Sequence, residues 1–277
     1  MAIMTSHASL SGVQPKLAIV EHNGGYRPTN GREISTHIAK FSSAGHPDLV
    51  FNEYLTTQAF CELLPKDEVA AVHIGDVMGQ RDPALIIERF DRVSGNRIHF
   101  EEFNQLLNLK SSAKYDGSYR QMADWMVSKN ECIPTEKFRL FQRVLAGILL
   151  GNTDMHFKNF AMFHTSAGVR LTPSYDQVGA CLYNYKSMAL SIGGSRNVLI
   201  GDLNAKHIVV LGQEFGLSVP AIQLCCDQLE KNRFLAKEVI SNGVVGSAVL
   251  KNNLITQMEK RWNGTFASIG NYLSKRP

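Results

Sequence analysis

The stretch Gly151-Asn152-Thr153-Asp154-Met155-His156-Phe157-Lys158-Asn159-Phe160 constrains this chain more than any other. Between Asp154 and Asn159 it gathers an acid, an imidazole, an amine and an amide. An apolar run, Val144 to Leu150, leads into it, and a second, Phe160 to Phe163, leads out. That frame predicts a polar loop between a buried helix and a strand, and loops held by rigid flanks are where catalytic groups tend to sit. A further acid, Asp176, follows a predicted hairpin in Pro173-Ser174-Tyr175-Asp176. Taken alone, an Asp and an Asn five positions apart are more often a polar loop closed by side-chain turns. Here such a loop would also have to account for Asp176 and for the N-terminal features below, and it does so poorly.

The chain has 277 residues, enough for one large domain or two lobes with ample core. Its hydrophobic content of 44% fits a globular protein. No run approaches the roughly 18 consecutive apolar residues of a membrane span. Met1 to Leu10 shows no basic region followed by an apolar core, so no secretory signal is expected. Five cysteines, Cys61, Cys132, Cys181, Cys225 and Cys226, include no Cys-x-x-Cys pair and are expected to be reduced thiols in a cytoplasmic protein. Residues 1–92 carry 8 Lys/Arg and 11 Asp/Glu, a net −3, and residues 93–277 carry 21 and 14, a net +7. The basic half has no dense Lys/Arg cluster, so the excess reads as solvated surface rather than as a nucleic-acid footprint.

Along the chain, Ser9-Leu10-Ser11-Gly12-Val13-Gln14-Pro15-Lys16 is small and polar and leads into a predicted strand, Leu17 to Val20, with a turn at Asn23-Gly24-Gly25. A Ser/Gly loop entering a hairpin can present backbone N–H groups to phosphates. Ser35 to Phe41 alternates like a strand and places Lys40 on it, either as a phosphate-gripping amine or as an edge-strand charge that blocks aggregation. Leu49 to Leu64 has helical spacing, with Asp48 as its expected N-cap and Glu53 and Glu62 as its acids. Val69 to Val77 and Ala84 to Glu88 read as a strand pair ending in Glu88-Arg89-Phe90-Asp91-Arg92, a plausible lobe junction. From Phe100 the pattern turns mainly helical, interrupted by a polar loop at Ser111 to Ser118. A helix from Pro134-Thr135 to Leu150 delivers the central loop, and a hairpin made of Phe160 to Phe163 and Val169 to Thr172 brings Asp176 back toward Asp154. Met188 to Gly194 reads as strand or buried turn, and Asn204 to Phe215, Pro220 to Asn242 and Val244 to Leu273 read as helices.

The Asp154–Asn159 spacing is that of the catalytic-loop Asp and Asn of protein kinases, and Asp176 stands where their metal-binding Asp follows. Four stretches in one order, Ser9 to Lys16, Thr36-His37-Ile38-Ala39-Lys40, Glu88 to Arg92, and Asn152 to Asn159 with Leu171 to Asp176, together resemble the HipA-like serine/threonine kinase toxins. The resemblance implies an α+β, two-lobed, protein-kinase-like fold: a small β-rich lobe over 1–92 and a larger, mostly helical lobe over 93–277. It implies ATP and Mg2+, with Asp154 as catalytic base and Asn159 and Asp176 as metal ligands. Ser11, Gly12, Val13, Gln14 and Lys16 would form the phosphate-side loop, Lys40 would grip the phosphates and Glu53 would pair with Lys40, although the spacing leaves Glu62 open. Glu88, Arg89 and Phe90 would hold the adenine; His156, Lys158 and Tyr175 would complete the nucleotide site. Family members phosphorylate their own loop serine, for which Ser9 and Ser11 are the matching positions. The Ser9-Leu10-Ser11 pattern and a loop starting so early resemble the HipT branch. There a separate small antitoxin supplies an N-terminal piece, alongside a DNA-binding antitoxin that provides the only link to DNA. The expected acceptor is a protein, by family an aminoacyl-tRNA synthetase, with no membrane partner. The alternatives are a small-molecule kinase of the same architecture and a non-catalytic member that binds antitoxin or DNA. Two departures stand out: no Ala-Pro-Glu follows Asp176, and His156 occupies the position where typical protein kinases carry Lys.

Overall fold

The computed structural model describes residues 14–274, so Ser9, Ser11, Gly12 and Val13 lie outside the described residues. Strands β1 (Lys16–His22) and β2 (Gly25–Pro28) form a hairpin. Asn23 and Gly24 at its turn both have positive φ, 50° and 76°, the pair of left-handed positions for which Asn-Gly is suited. β3 (His37–Lys40) pairs with the other edge of β1, with Lys16 opposite Lys40. β4 (Val72–Gly75) and β5 (Ala84–Glu88) complete a five-stranded antiparallel sheet in the order β2-β1-β3-β5-β4. β3 is therefore an interior strand, which removes the edge-guard reading of Lys40. One face of the sheet buries a small cluster of Ile19, Ala39, Val77, Ala84 and Ile86.

Helix α1 (Leu49–Leu63) connects this sheet to the rest of the molecule, because Leu55, Ala59, Phe60 and Leu63 join the large helical core rather than the small sheet cluster. Asp48 stands at its N-cap but makes no side-chain capping bond; its backbone, at φ −100° and ψ 9°, lacks the extended conformation that aims a capping side chain. After a short hairpin of β6 (Arg92–Val93) and β7 (Asn96–Arg97), β8 (Phe100–Glu102) departs from the helical expectation. It pairs with β9 (Ala161–Thr165), which pairs in turn with β10 (Gly168–Leu171). Three residues hold too little periodicity to reveal a strand whose partner lies so far along the chain.

The helical part comprises α2 (Phe103–Leu106), α3 (Tyr119–Ser128), α4 (Glu136–Leu150), α5 (Ala205–Glu214), α6 (Val219–Asn242), α7 (Ala248–Arg261) and α8 (Ile269–Ser274). Residues Val144 to Leu150 of α4 are buried on every side, so this helix runs through the middle of the core. It stops at Gly151, whose φ of 83° is the left-handed C-terminal conformation. A Cβ there would lie 2.5 Å from the Arg261 guanidinium and 2.7 Å from Cys181 Sγ, so glycine is required for space as well as for φ. The expected single helix over 244–273 is instead broken, first before Ala248 and again by a π-helical turn at Trp262–Phe266, where the two rings stack 5.9 Å apart. Leu250, Leu254, Met258 and Trp262 are core residues as expected, whereas Val249 is 69% exposed. Met188 to Gly194 is a buried turn held by isolated bridges from Ser191 to Ser118 and from Ile192 to Ser195. The architecture is thus α+β, with a small β-rich part and a larger, mostly helical part. Among the described residues the five cysteines are free thiols, and no helix is long and apolar enough to cross a membrane.

Candidate active site

Lys40 is 4% exposed, because β3 is covered on both sides by β1 and β5 and on its face by α1. An ammonium so placed needs acidic partners. It has two: Glu53 Oε1 of α1 at 2.5 Å, and Asp176 Oδ1. Glu53 directly follows Asn52, which docks α1 against the segment after Asp176 and whose Oδ1 also accepts from Thr56 Oγ1 at 3.0 Å. Asn52 accepts from Gly179 N at 2.8 Å and donates to Gly179 O at 3.3 Å. The three charged groups thus come from a strand, a helix and a loop 136 positions beyond the strand.

The central loop leaves α4 in an extended, buried path. Asn152, 1% exposed, ties its two acids together: its Oδ1 accepts from Asp154 N at 3.2 Å and its Nδ2 donates to Asp176 O at 3.1 Å. Asn159 Nδ2 donates to Asp176 Oδ2 at 3.3 Å. Asp176 itself has φ 55°, a left-handed conformation uncommon outside glycine and costing about 1–3 kcal/mol where the surroundings enforce it. The surroundings here are a ladder built by the chain that follows α1. Ser174 N donates to Glu68 O at 2.8 Å and Ala70 N to Ser174 O at 2.9 Å. Arg143 of α4 donates to Thr172 O at 2.8 Å while gripping Asp67 through both Nε and Nη2, at 2.6 and 2.8 Å. Arg139 joins Asp67 to Glu136, whose Oε2 accepts from Leu171 N at 2.8 Å.

Electrostatics divides the site into fixed charges and a fixed neutral group. Burial opposes the Lys40 charge, but Asp176 and Glu53 outweigh it and hold the ammonium protonated above its ordinary range. Burial would raise the Asp176 carboxyl, yet Lys40 and then Lys16 keep it well below the usual carboxylate range. Glu53 is pushed up by burial despite Lys40. His156 is held down to about 3 by burial and then by Lys114, whose Nζ lies 2.9 Å from His156 Nε2. The imidazole at the position where protein kinases carry Lys is therefore neutral at working pH.

Gln14, Lys40, Glu53, Asp154, Asn159 and Asp176 line one narrow cleft, together with Leu49 and Val178. Glu88, Arg89 and Phe90 do not line it; they stand where β5 ends and the chain leaves the sheet. Arg89 pairs with Asp91 at 2.8 Å, and the Phe90 ring packs on Tyr175 at 5.5 Å and on Phe163 at 5.8 Å. The Tyr175 hydroxyl donates to Lys158 O at 2.9 Å, fastening the Asp176 segment to the central loop. The Lys158 side chain does not line the cleft and donates to Ser111 Oγ at 2.5 Å. Sequence reasoning passed over four residues: Asn152, Lys114, Tyr115 and Arg143. Asn152 lies inside the central stretch and was within reach; Tyr115, which donates to Asp154 Oδ1 at 2.7 Å, lies in a loop that carries no periodic signal.

The donor set fits Mg2+. Asn159 Oδ1 is buried with no hydrogen-bond partner among the described residues, beside an ionised Asp176. One carboxylate and one amide suffice for an ion that takes its remaining ligands from phosphates and water. No cluster of three or more His, Cys, Asp or Glu capable of holding a metal occurs among the described residues.

The model of the HipA-like C-terminal domain matches residues 8–235. This chain belongs to that family. The HipA-like chain is 34% identical to the serine/threonine-protein kinase toxin HipA of Shewanella oneidensis, over 63% of its own length and 44% of that protein. It is 24% identical to Y4mE of Sinorhizobium fredii, over 78% of its own length and 52% of that protein. It thus spans about half the length of these curated relatives. Its fold superposes on HipA in the Shewanella oneidensis complex of HipA, HipB and operator DNA, with TM-score 0.79, 24% identity, and coverage of 95% of this chain and 67% of that one. It also superposes on the Helicobacter pylori proinflammatory kinase CtkA, with TM-score 0.67, 13% identity, and coverage of 98% and 94%. The HipA-like chain therefore has the two-lobed, kinase-like fold of these structures.

Proposed function

We propose that this chain is an ATP-dependent serine/threonine protein kinase that serves as the toxin of a toxin–antitoxin system. One observation carries the reading: Lys40, Asp154, Asn159 and Asp176, drawn from both parts of the fold, line a single cleft with the charges phosphoryl transfer needs. Lys40 binds the nucleotide phosphates and is oriented by Glu53. Asn159 and Asp176 hold Mg2+, which when bound neutralises charge on the phosphate oxygens. Gln14 and Lys16 lie on the phosphate side, with Ser11, Gly12 and Val13 completing that loop. Glu88, Arg89 and Phe90 form the adenine end, backed by Tyr175. Asp154 takes the proton of the acceptor hydroxyl as its oxygen bonds to the γ-phosphorus, and ADP leaves with the bridging oxygen. His156 stays neutral and shapes the floor of the site; Lys114 supplies the positive charge that His156 does not, and Lys158 tethers the neighbouring loop.

The same reading extends to partners and control. The lobes divide at 1–92 and 93–277. The acceptor is a protein, by family an aminoacyl-tRNA synthetase, in the cytoplasm. A DNA-binding antitoxin is expected, since the related HipA was solved with HipB and operator DNA, and a small companion of the HipT kind fits the Ser9-Leu10-Ser11 pattern. Phosphate on Ser9 or Ser11 would add about −1.5 to −2 charge beside the nucleotide phosphates and expel the loop. The test is phosphoproteomics after brief induction, comparing the native chain with Asp154→Asn. Transfer is expected to fall by about 100- to 10,000-fold while Mg-ATP binding is kept. Equal phosphorylation by the two chains ends the proposal, and labelling of small molecules alone redirects it to a different acceptor.

A further inference from the structure

The loop between α2 and α3 does more than connect them. Lys110 to Ser118 is fastened along the central loop at several points. Ser111 Oγ accepts from Lys158 Nζ at 2.5 Å, and Lys114 O accepts from Phe157 N at 3.2 Å. Lys114 Nζ meets His156 Nε2 at 2.9 Å, and the Tyr115 ring packs edge-on to His156 at 5.1 Å. In the middle of this strap the Tyr115 hydroxyl donates to Asp154 Oδ1 at 2.7 Å. None of residues 107–118 is fully buried; the strap is anchored at Lys110 O, which accepts from Asn104 Nδ2 at 3.2 Å, and at Gly117 O, which accepts from Ser191 N at 2.9 Å, so a local opening concerns the residues between them.

We propose that Tyr115 sits in the acceptor's place on Asp154 and that residues 110–118 form a gate on acceptor entry. The inference rests on the kinase reading above. A general base must receive a hydrogen bond from the hydroxyl it deprotonates, and the phenol makes that bond already. Asp154 is only 6% exposed and its Oδ1 already accepts from the phenol at 2.7 Å, so an acceptor hydroxyl competes with Tyr115 for that oxygen. An acceptor serine or threonine, or water, has to displace the phenol to use that oxygen. A protein segment that engages Lys114 and Lys158 would free the strap as it binds, so the base is uncovered only for an acceptor that fits. The gate therefore suppresses hydrolysis of ATP by water when no acceptor is present.

The decisive variant is Tyr115→Phe, which keeps the ring on His156 and removes only the hydroxyl. Three quantities are compared with the native chain: phosphate release from Mg-ATP with water as acceptor, ³²P incorporation into the chain itself, and binding of a fluorescent ATP analogue. Hydrolysis is expected to rise about tenfold, equivalent to about 1.4 kcal/mol of competition removed, with nucleotide binding unchanged. Self-labelling rises with it, and Tyr115→Ala shows the same sign. Slower or equal hydrolysis at unchanged nucleotide binding overturns the gate; slower turnover would make Tyr115 a positioning residue for the base. Phosphate found on Tyr115 also overturns it, because the phenol is then an acceptor in its own right. If the native chain and Tyr115→Phe both bind Mg-ATP and neither hydrolyses it nor labels itself, the kinase reading has failed; if the native chain turns over and Tyr115→Phe is no faster, the gate alone has failed.

Discussion

Around Asp67 one carboxylate meets two guanidinium groups; around Lys40 one ammonium meets two carboxylates. Both clusters are buried and both join the small β-rich part to the helical part, yet they are finished differently. At Asp67 the donors find acceptors: Arg143 uses Nε and both terminal nitrogens, on Asp67, Thr172 O and Glu68 O. In the cleft, Gln14 Nε2 and Asn159 Oδ1 are buried without partners among the described residues, and Asp176 adopts a strained backbone. A satisfied buried network is scaffold. Buried polar atoms left open on the wall of a cleft, as Gln14 Nε2 and Asn159 Oδ1 are, can be satisfied by a ligand that enters it.

The largest effect should come from breaking the scaffold cluster. Arg143→Leu leaves Asp67 buried with its better partner gone and is expected to lower unfolding free energy by about 3–5 kcal/mol in urea titration. A loss under about 1 kcal/mol would place this network in the same class as the cleft.

A pH titration sharpens the contrast. Folded His156 stays neutral down to about 3, whereas an unfolded histidine takes its proton near 6.5. Between those values the unfolded chain binds the extra proton, so this contribution to stability is complete above about 6.5 and is lost as pH falls toward 3. The slope approaches about 1.4 kcal/mol per pH unit. Asp67 behaves otherwise: burial raises its carboxyl, but Arg143 and Arg139 hold it below 3.8, so its contribution persists until pH drops below that value. Melting curves of the native chain and His156→Gln should therefore converge as pH is lowered from 7 to 4.5, while the Arg143→Leu difference stays constant over the same range. Parallel curves for His156→Gln would show that the imidazole takes up its proton in the folded state.

The smallest stability effect is expected where the functional effect is large. Asp176→Asn leaves Lys40 with one carboxylate, a balanced pair, and asparagine tolerates the left-handed backbone. Stability should change by less than about 1 kcal/mol, or rise, while Mg2+-dependent ATP binding measured by calorimetry is lost. A destabilisation as large as that of Arg143→Leu would make Asp176 part of the scaffold.

Much of this was legible in the residues. The apolar run Val144 to Leu150 is buried throughout because a helix that is apolar on every side has to be, and the hairpin after Phe160 follows from its turn at Ser166-Ala167-Gly168. The Asp154–Asn159 spacing and Asp176 were visible as a pattern, as was Lys40 on its strand. Short or non-periodic pieces were not. β8 has three residues and takes its identity from β9; Tyr115 touches Asp154 from a loop with no pattern; Arg143 looks like any helical arginine until its partners are known. Even Asp48, a fitting cap by residue type, does not cap, because its backbone is turned the wrong way.

By itself the sequence determined the local chemistry: which segments bury one face, where glycine and asparagine turn the chain, and which loop carries acid and amide at a fixed interval. Those properties depend on neighbours a few positions away. Only the tertiary structure decided that Lys40, Glu53 and Asp176 share one charge balance, that Asn152 joins two acids, and that a tyrosine hydroxyl rests on Asp154. Hydrogen bonds and ion pairs act over a few ångströms and depend on direction, so contacts between distant positions exist only after the whole chain has packed.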